Sequence, residues 1–501
     1  MAARSGREYL EDLRNAPRDV YLEGEHIRDV TRHPRFRGIL SSMAELYDMQ
    51  HDPARADVMT YVSPTTGERV GMSFLTPRSQ EDLVKRRCMM AEWATHTLGM
   101  MGRSPDYLNS SFMAFGAAKS FFAQNDPAYG ENVTRYTERA RARDLCLTHT
   151  LISPQVNRAA GPAQQPDPTI VAKIVRETDR GLVIRGGRML ATLAPISDEI
   201  AVFPSTVLKG ERDAEDYAFA FAIPVGTRGV RLICRESFDL GRSHFDHPLG
   251  SRFEEMDAVV AFDDVEVPWE RVFLARDVDL ANDVYTDTNA VVHMTHQVLV
   301  KNIAKSDFFL GLASSMAESI GITQFQHVQE KIAEIILDLE LLRACLRAAE
   351  ADAKLDVYGV MCPARTPLDV ARNLFPRMYP RMVEILQQLG ASGLMAIPSE
   401  ADLRGEARGE IAKYLQARSA TAKERIRLFR LAWDASLSSF GGRQVLYERF
   451  FFGDPVRMMS ALYSVYDKEP SMEHVRTFLE RADGAVFEAH DAWETYRDGS
   501  R

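Results

Sequence analysis

One histidine stands among hydrogen-bonding side chains in DLCLTHTLISPQVNR, residues 144–158. His149 lies between Thr148 and Thr150, and Ser153, Gln155, Asn157 and Arg158 follow around Pro154. An imidazole beside such a loop can hold or move a proton on a ligand. The same pattern also describes a core histidine with a satisfied ring and an ordinary proline turn. A second constellation is GRSPDYLN, Gly102 to Asn109. Arg103 and Tyr107 are four residues apart, so a helix starting near Ser104 puts a cation and a phenol on one side. Together they could bind an anionic or phenolic ligand. Ser104 as N-cap, Pro105 at the first helical position and Asp106 in the first turn also read as a capped helix start. Both readings hold together, because the cap would fix the geometry of the pair.

SSFGGRQVLYERF, Ser438 to Phe450, is a third candidate. Gly441 and Gly442 let backbone approach a ligand, and Arg443 can hydrogen-bond phosphate. It is neither a Walker loop nor a GxGxxG fingerprint, and read locally it is a helix end followed by a turn. His244-x-x-His247 with Asp246, and His293-x-x-His296, each offer two imidazoles. Neither has the HExxH pattern or nearby cysteines, so no metal is expected.

The elements that must position these groups change character along the chain. Residues 1–145 read as a mostly helical domain. It includes a short segment of strand character, DVYLEGEHIRDV, turned at Glu23-Gly24, and a long helical pattern from Ser79. Residues 146–280 read as a β domain, a barrel or paired sheets, with a hairpin at Asp179–Gly181 and a closing strand at Pro268. Residues 281–501 read as a helical bundle. In its clearest helix Val328, Ile332, Ile335, Ile336, Leu339 and Leu342 form one apolar stripe. The fold class is therefore multidomain α+β: helical, then β, then bundle.

At 501 residues, with 45% hydrophobic and 26% charged residues, the composition is that of a globular protein. A net charge of -10 argues against a nucleic-acid partner. Five scattered cysteines with no CxxC favour a reducing, cytoplasmic setting over a disulfide framework. The N-terminal MAARSGREYLEDLRN has no apolar core of a secretory signal, and no run reaches the roughly 18 apolar residues of a membrane span. No GxGxxG follows a strand, so the chain is expected not to bind and oxidise NADH itself.

Taken together, GRSPDYLN, THTLISPQVNR, YPRMVEILQQLGASGLMAIP and FGGRQVLYERF, in that order, resemble the 4-hydroxyphenylacetate 3-monooxygenase family. Its members are oxygenase components of two-component flavin-dependent phenol hydroxylases. The resemblance spans nearly the whole chain. The wider fold resembles the acyl-CoA dehydrogenases, whose middle β-barrel domain ends much as FDDVEVPWERVFL does here.

The resemblance implies FAD, delivered as FADH2 by a separate NAD(P)H-dependent reductase, with O2 as co-substrate. It implies ortho-hydroxylation of a 4-hydroxyphenylacetate-like phenol to a catechol by a flavin C4a-hydroperoxide, in a homotetramer. By the same resemblance Arg103, Tyr107 and His149 would hold the phenolic oxygen, and Ser205 and Thr206 the substrate's tail. His149, Thr150, Leu151, Gln155, Val156, Asn157, Arg158 and Thr192 would contact the flavin. Gly441, Gly442, Arg443 and Gln444 would meet its phosphate-bearing half from a neighbouring subunit. A chlorophenol, a nitrophenol or carrier-bound tyrosine would use the same ring-binding residues. A 4-hydroxybutyryl-CoA dehydratase-like lyase would need cysteine ligands near a histidine, but Val300 stands where one would follow His293. An acyl-CoA dehydrogenase would need a catalytic carboxylate, and none is apparent.

Overall fold

The computed structural model describes residues 3–154, 156–204, 208, 214–451 and 453–484. The chain forms two compact units, Met1–Phe452 and Gly453–Arg501.

The first unit opens with the helix Gly6–Asn15, started by a capping box between Ser5 and Glu8. The expected hairpin follows as strands Asp19–Leu22 and Glu25–Ile27. Glu23 and Gly24 turn it in the left-handed region, at φ 52° and 84°. The chain pattern did not indicate where this hairpin goes. Asp19–Leu22 pairs in parallel with Val230–Cys234, Val20 opposite Leu232. The N-terminal hairpin is thus one edge of the six-stranded sheet that runs Glu25–Ile27, Asp19–Leu22, Val230–Cys234, Asp257–Pro268, Gly181–Thr192, Lys173–Glu177.

A second sheet of four strands runs Val272–Ala275, Phe219–Pro224, Glu199–Val202, Leu147–Thr150. The two sheets share apolar side chains: Phe221 and Phe262 meet edge to face at 6.2 Å. The hairpin expected at Asp179–Gly181 is present, with Ile174 opposite Ile184. Its long strand Gly181–Thr192 pairs with Asp257–Pro268 through two irregularities in register.

Three long helices lie between the hairpin and the strands that follow. Gln80–His96 starts where Ser79 Oγ accepts from Asp82 N–H at 3.2 Å. Pro105–Ala117 is buried along almost its whole length, and Pro127–Arg143 packs beside it. After the sheets come Val278–Asp287, then the bundle helices Ala290–Ser319, Gln326–Ala351, Arg365–Gly390, Ala422–Ser436 and Ser439–Phe450. The apolar stripe of Gln326–Ala351 needs one correction. Val328, Ile335, Leu339 and Leu342 are buried, whereas Ile336 is 44% exposed. At about 100° per residue, a neighbour of Ile335 falls on the flank of the stripe. Arg365–Gly390 continues through Pro376 and Pro380 despite their missing N–H groups.

The second unit contains the helices Pro455–Val465 and Glu469–Gly484. Asp454 caps the first, accepting from the N–H groups of Val456 and Arg457.

Candidate active site

Arg103 immediately precedes the N-cap position of the Pro105–Ala117 helix. Its backbone N–H donates to Glu255 Oε1 at 2.7 Å, which fixes the start of the side chain. The guanidinium carbon lies 4.4 Å from the ring centre of Tyr107 and 4.4 Å from that of Phe451. The Tyr447 ring lies further off at 5.8 Å. A planar cation stacked on aromatic rings is held firmly while its edge stays available. Among the described residues, buried Nε and Nη1 have no hydrogen-bond partner. Burial opposes the charge, but Tyr447, Tyr107 and Glu255 outweigh it and keep Arg103 protonated. The expected Ser104 cap is realised in position only, since its side chain accepts no bond from the helix N–H groups.

His149 comes from the Leu147–Thr150 strand, held in register opposite Ala201 by parallel pairing. Its ring is 5.8 Å from that of Tyr107, nearly perpendicular at 83°. Nδ1 is buried without a partner among the described residues. Burial, aided by the Arg103 charge, holds the imidazole well below its ordinary value, so it is neutral at pH 7. The structure therefore brings together the three groups expected at the phenolic oxygen.

Thr192 joins them from the end of Gly181–Thr192. Thr148 Oγ1 donates to the Thr192 carbonyl at 2.6 Å, and Thr192 Oγ1 donates to Asp257 Oδ1 at 2.6 Å. Asp257 in turn accepts from Arg443 Nε at 3.0 Å, Arg443 Nη2 at 2.9 Å and Arg235 Nε at 3.0 Å. Burial resists ionisation of Asp257, but the two guanidinium groups dominate and hold it well below the carboxylate range. Thr150 Oγ1 is buried without a partner among the described residues, and Leu151 is half-buried beside it.

The Gly441–Gln444 segment departs from the local reading. It lies in the first turns of the Ser439–Phe450 helix, whose N-cap Ser438 accepts from Gly441 N–H at 3.0 Å. It is a helix start rather than a helix end. A Cβ on Gly441 would lie 2.8 Å from the Asp434 carbonyl, so glycine is required for the close approach. Arg443 is committed to Asp257 and, by Nη1 at 3.0 Å, to Glu255 Oε2. Gln444 donates to the Met100 carbonyl at 2.9 Å and accepts from Lys305 Nζ at 2.8 Å. A Cβ on Gly442, by contrast, would meet nothing within 4 Å among the described residues. In this chain Arg443 and Gln444 tie the helix to the site rather than presenting free donors to a phosphate.

Val156, Asn157 and Arg158 sit exposed on a loop that Gln165 holds, its Oε1 accepting from Asn157 N–H at 3.1 Å. They are not part of the buried cluster. Gln155, Ser205 and Thr206 lie outside the described residues.

Several contributors went unnoticed in the sequence. Tyr447 was readable: it lies one helical turn after Arg443, whose guanidinium sits 4.4 Å over its ring. Glu255 and Asp257 stand in the acidic run EEMD that opens a strand. Arg188, four residues before Thr192, is buried with Nη1 donating to Ser153 Oγ at 3.1 Å. Its Nε and Nη2 lack partners among the described residues, and burial lowers its pKa to about 10.

The two histidine pairs have other partners. His244 Nδ1 meets Ser251 Oγ at 2.7 Å, and His296 Nε2 meets Glu350 Oε1 at 2.9 Å. His293 Nδ1 lies 3.3 Å from Arg86 Nη1. Among the described residues no group of three or more His, Cys, Asp or Glu could hold a metal ion.

Residues 5–274 match the family 4-hydroxyphenylacetate 3-hydroxylase N terminal, and residues 281–480 its C-terminal counterpart. The chain is 52% identical over 480 residues to the 4-hydroxyphenylacetate 3-monooxygenase oxygenase component of Thermus thermophilus, covering 96% of this chain and 98% of that one. It is 33% identical to a 4-nitrophenol 2-monooxygenase oxygenase component from Rhodococcus, over 90% of this chain and 86% of that relative. A crystal structure of a 4-hydroxyphenylacetate 3-monooxygenase oxygenase component complexed with FAD and 4-hydroxyphenylacetate superposes with TM-score 0.93 at 52% identity, covering 97% and 100% of the two chains. An archaeal 4-hydroxybutyryl-CoA dehydratase from N. maritimus, 23% identical with TM-score 0.83 over 92% of each chain, shares the fold. With both halves matched along most of its length, the chain belongs to the 4-hydroxyphenylacetate 3-hydroxylase family.

Proposed function

We propose that this protein is the oxygenase component of a two-component monooxygenase that ortho-hydroxylates a phenol of the 4-hydroxyphenylacetate class, using reduced FAD and O2. The observation that carries the residue-level reading is Arg103: a buried guanidinium over two aromatic rings, beside a neutral imidazole, with Arg103 Nε and Nη1 and His149 Nδ1 all lacking partners among the described residues.

These residues suit a phenol that must react as its anion. A phenolate carries more electron density at the ortho carbon than a neutral phenol. Arg103 would pair with the phenolate oxygen, Tyr107 would orient it, and His149 Nδ1 would accept the phenolic proton. Protonating His149 beside Arg103 is unfavourable by itself, and the negative oxygen forming between them offsets it. Phe112, Phe115, Phe203 and Tyr285 line the neighbouring core and keep the surroundings dry.

FAD fits the adjoining surface. The buried Thr150 Oγ1, without a partner among the described residues, offers a polar contact, and Thr192 is fixed by Asp257 at the next strand end. Reduced FAD, when bound, supplies the electrons and converts O2 into an electrophilic oxygen donor. His149, Thr150, Leu151 and Thr192 would hold it, with Gln155, Val156, Asn157 and Arg158 contributing from the loop. Arg443 would act by holding Asp257 beneath Thr192. Gly442 would be the point of backbone approach for the phosphate half.

A separate NAD(P)H-dependent flavin reductase, a homotetramer and a cytoplasmic location complete the proposal. Among the described residues no helix is long and apolar enough to cross a membrane. The test is chemically reduced FAD, O2 and a panel of phenols, with products separated by chromatography. Catechol from 4-hydroxyphenylacetate supports the reading. Hydrogen peroxide alone with every phenol would overturn it.

A further inference from the structure

Tyr285 belongs to the Val278–Asp287 helix between the sheets and the bundle, where Asp277 caps by accepting from Leu280 N–H at 2.9 Å. Its ring rests on two others: Phe115 at 5.7 Å and 62°, and Phe203 at 5.5 Å and 55°. Phe115 and Phe203 are themselves 5.0 Å apart. Phe115 is eight residues beyond Tyr107 on the same helix, about 80° around it and roughly 12 Å along the axis. Phe203 N–H donates to the carbonyl of Thr150, next to His149, at 3.3 Å. The two elements that carry the phenol clamp therefore also fix the Tyr285 ring.

Its hydroxyl is buried and has no hydrogen-bond partner among the described residues. Burial pushes its pKa well up, the Tyr107 hydroxyl adds to this, and the Arg103 guanidinium opposes it. The hydroxyl thus shares the electrostatic surroundings of the clamp, while its ring is anchored two helical turns away. A buried hydroxyl left unpaired is costly, and a bound molecule with an acceptor would satisfy it.

We infer that Tyr285 determines substrate specificity, donating a hydrogen bond to an acceptor oxygen on the para substituent of the bound phenol. The phenolic oxygen already has three partners at the Arg103 end. The Phe115–Phe203 anchor, two helical turns along from Tyr107, would put Tyr285 toward the other end of the ring. A carboxylate or nitro oxygen there completes the bond, and a methyl group cannot.

This inference rests on the proposed phenol pocket. Its test is Tyr285→Phe, which removes one oxygen atom and keeps the ring packing. Equilibrium dissociation constants and steady-state KM and kcat are measured for 4-hydroxyphenylacetate, 4-nitrophenol and 4-methylphenol. The expected result is about a tenfold rise in Kd and KM for the first two, the loss of one hydrogen bond to a buried acceptor. Values for 4-methylphenol and kcat at saturation should stay near wild type. Unchanged 4-methylphenol affinity also reports that the variant is folded. Equal weakening of all three phenols, or no change for any, overturns the inference. If wild type hydroxylates none of the phenols, the function reading fails instead, and the binding measurements still decide the role of Tyr285. Tyr285→Leu offers a second variant, and it should lose the same discrimination between acceptor-bearing and methyl substrates.

Discussion

Replacing Arg103 by Met separates the charge from the packing. Met fills much of the space between Tyr107 and Phe451, each 4.4 Å from the guanidinium carbon, but carries no cation. A cation within about 4–6 Å lowers the pKa of an acid by roughly one to three units, about 1.4–4 kcal/mol. Arg103→Met should therefore leave the bound phenol roughly 10- to 1000-fold less ionised at a pH below its transition. Stability should change little. Cation–π contacts with three rings, about 0.5–2 kcal/mol each and weakest with Tyr447 at 5.8 Å, are lost, but so is the several-kcal/mol penalty of desolvating a buried guanidinium whose Nε and Nη1 lack partners among the described residues. Bound 4-nitrophenol reads the effect directly, because its anion absorbs in the visible. Its titration midpoint on the FAD-loaded protein should rise by one to three pH units in the variant. The ratio of catechol formed to O2 consumed should fall in parallel as peroxide rises. Coincident midpoints, with unchanged coupling, would falsify the assignment of Arg103 to the phenolic oxygen.

Other expectations follow from the same contacts. Arg443→Ala leaves Asp257 and Glu255 buried without that cation and should destabilise the fold by about 3–5 kcal/mol, read by denaturant unfolding; a loss below 1 kcal/mol would remove Arg443 from its structural role. A Cβ on Gly102 would lie 2.2 Å from the Tyr447 hydroxyl, so Gly102→Ala should lower Tm and phenol affinity together, with about 1–3 kcal/mol of overpacking strain. Burial holds the folded-state pKa values of His149, His293 and His296 below the unfolded value near 6.5. Below pH 6.5 the unfolded chain binds more protons, so stability should fall on acidification, by up to about 1.4 kcal/mol per pH unit for each imidazole; His293→Gln should flatten that slope, and an unchanged slope would argue against it. Purified protein with FAD should not oxidise NADH without a reductase, since the sequence has no dinucleotide fingerprint; rapid NADH loss in absorbance would contradict this.

Local signals carried most of the element boundaries. Ser79 and Asp454 begin helices because each side chain accepts from a first-turn N–H, and Glu23-Gly24 makes a hairpin by adopting positive φ. The clamp trio was readable because Arg103 and Tyr107 share one short motif and His149 another. Long-range partners were not. No pattern near Val20 indicates that its strand joins Leu232, and none near Phe451 indicates that it covers Arg103. Gly441-Gly442 reads locally as a helix end because glycine commonly closes helices, whereas Ser438 caps a new helix there and packs Gly441 against the Asp434 carbonyl. Arg188 gave no signal at all, since a lone arginine in a strand ordinarily faces water.

The bond from Gln444 to the Met100 carbonyl spans 344 residues. At about 5–20 residues per second of synthesis, on the order of 20–70 s separate the two ends of that contact on the ribosome. Throughout that interval Arg103 exists without Tyr447 and Phe451, and Asp257, once made, without Arg443. The nascent chain therefore carries an open, charged cleft that closes only when its distal helix emerges. Assembly of the pocket is a late event in the life of each molecule, and mutations in residues 439–451 should affect yield during expression as well as catalysis afterwards.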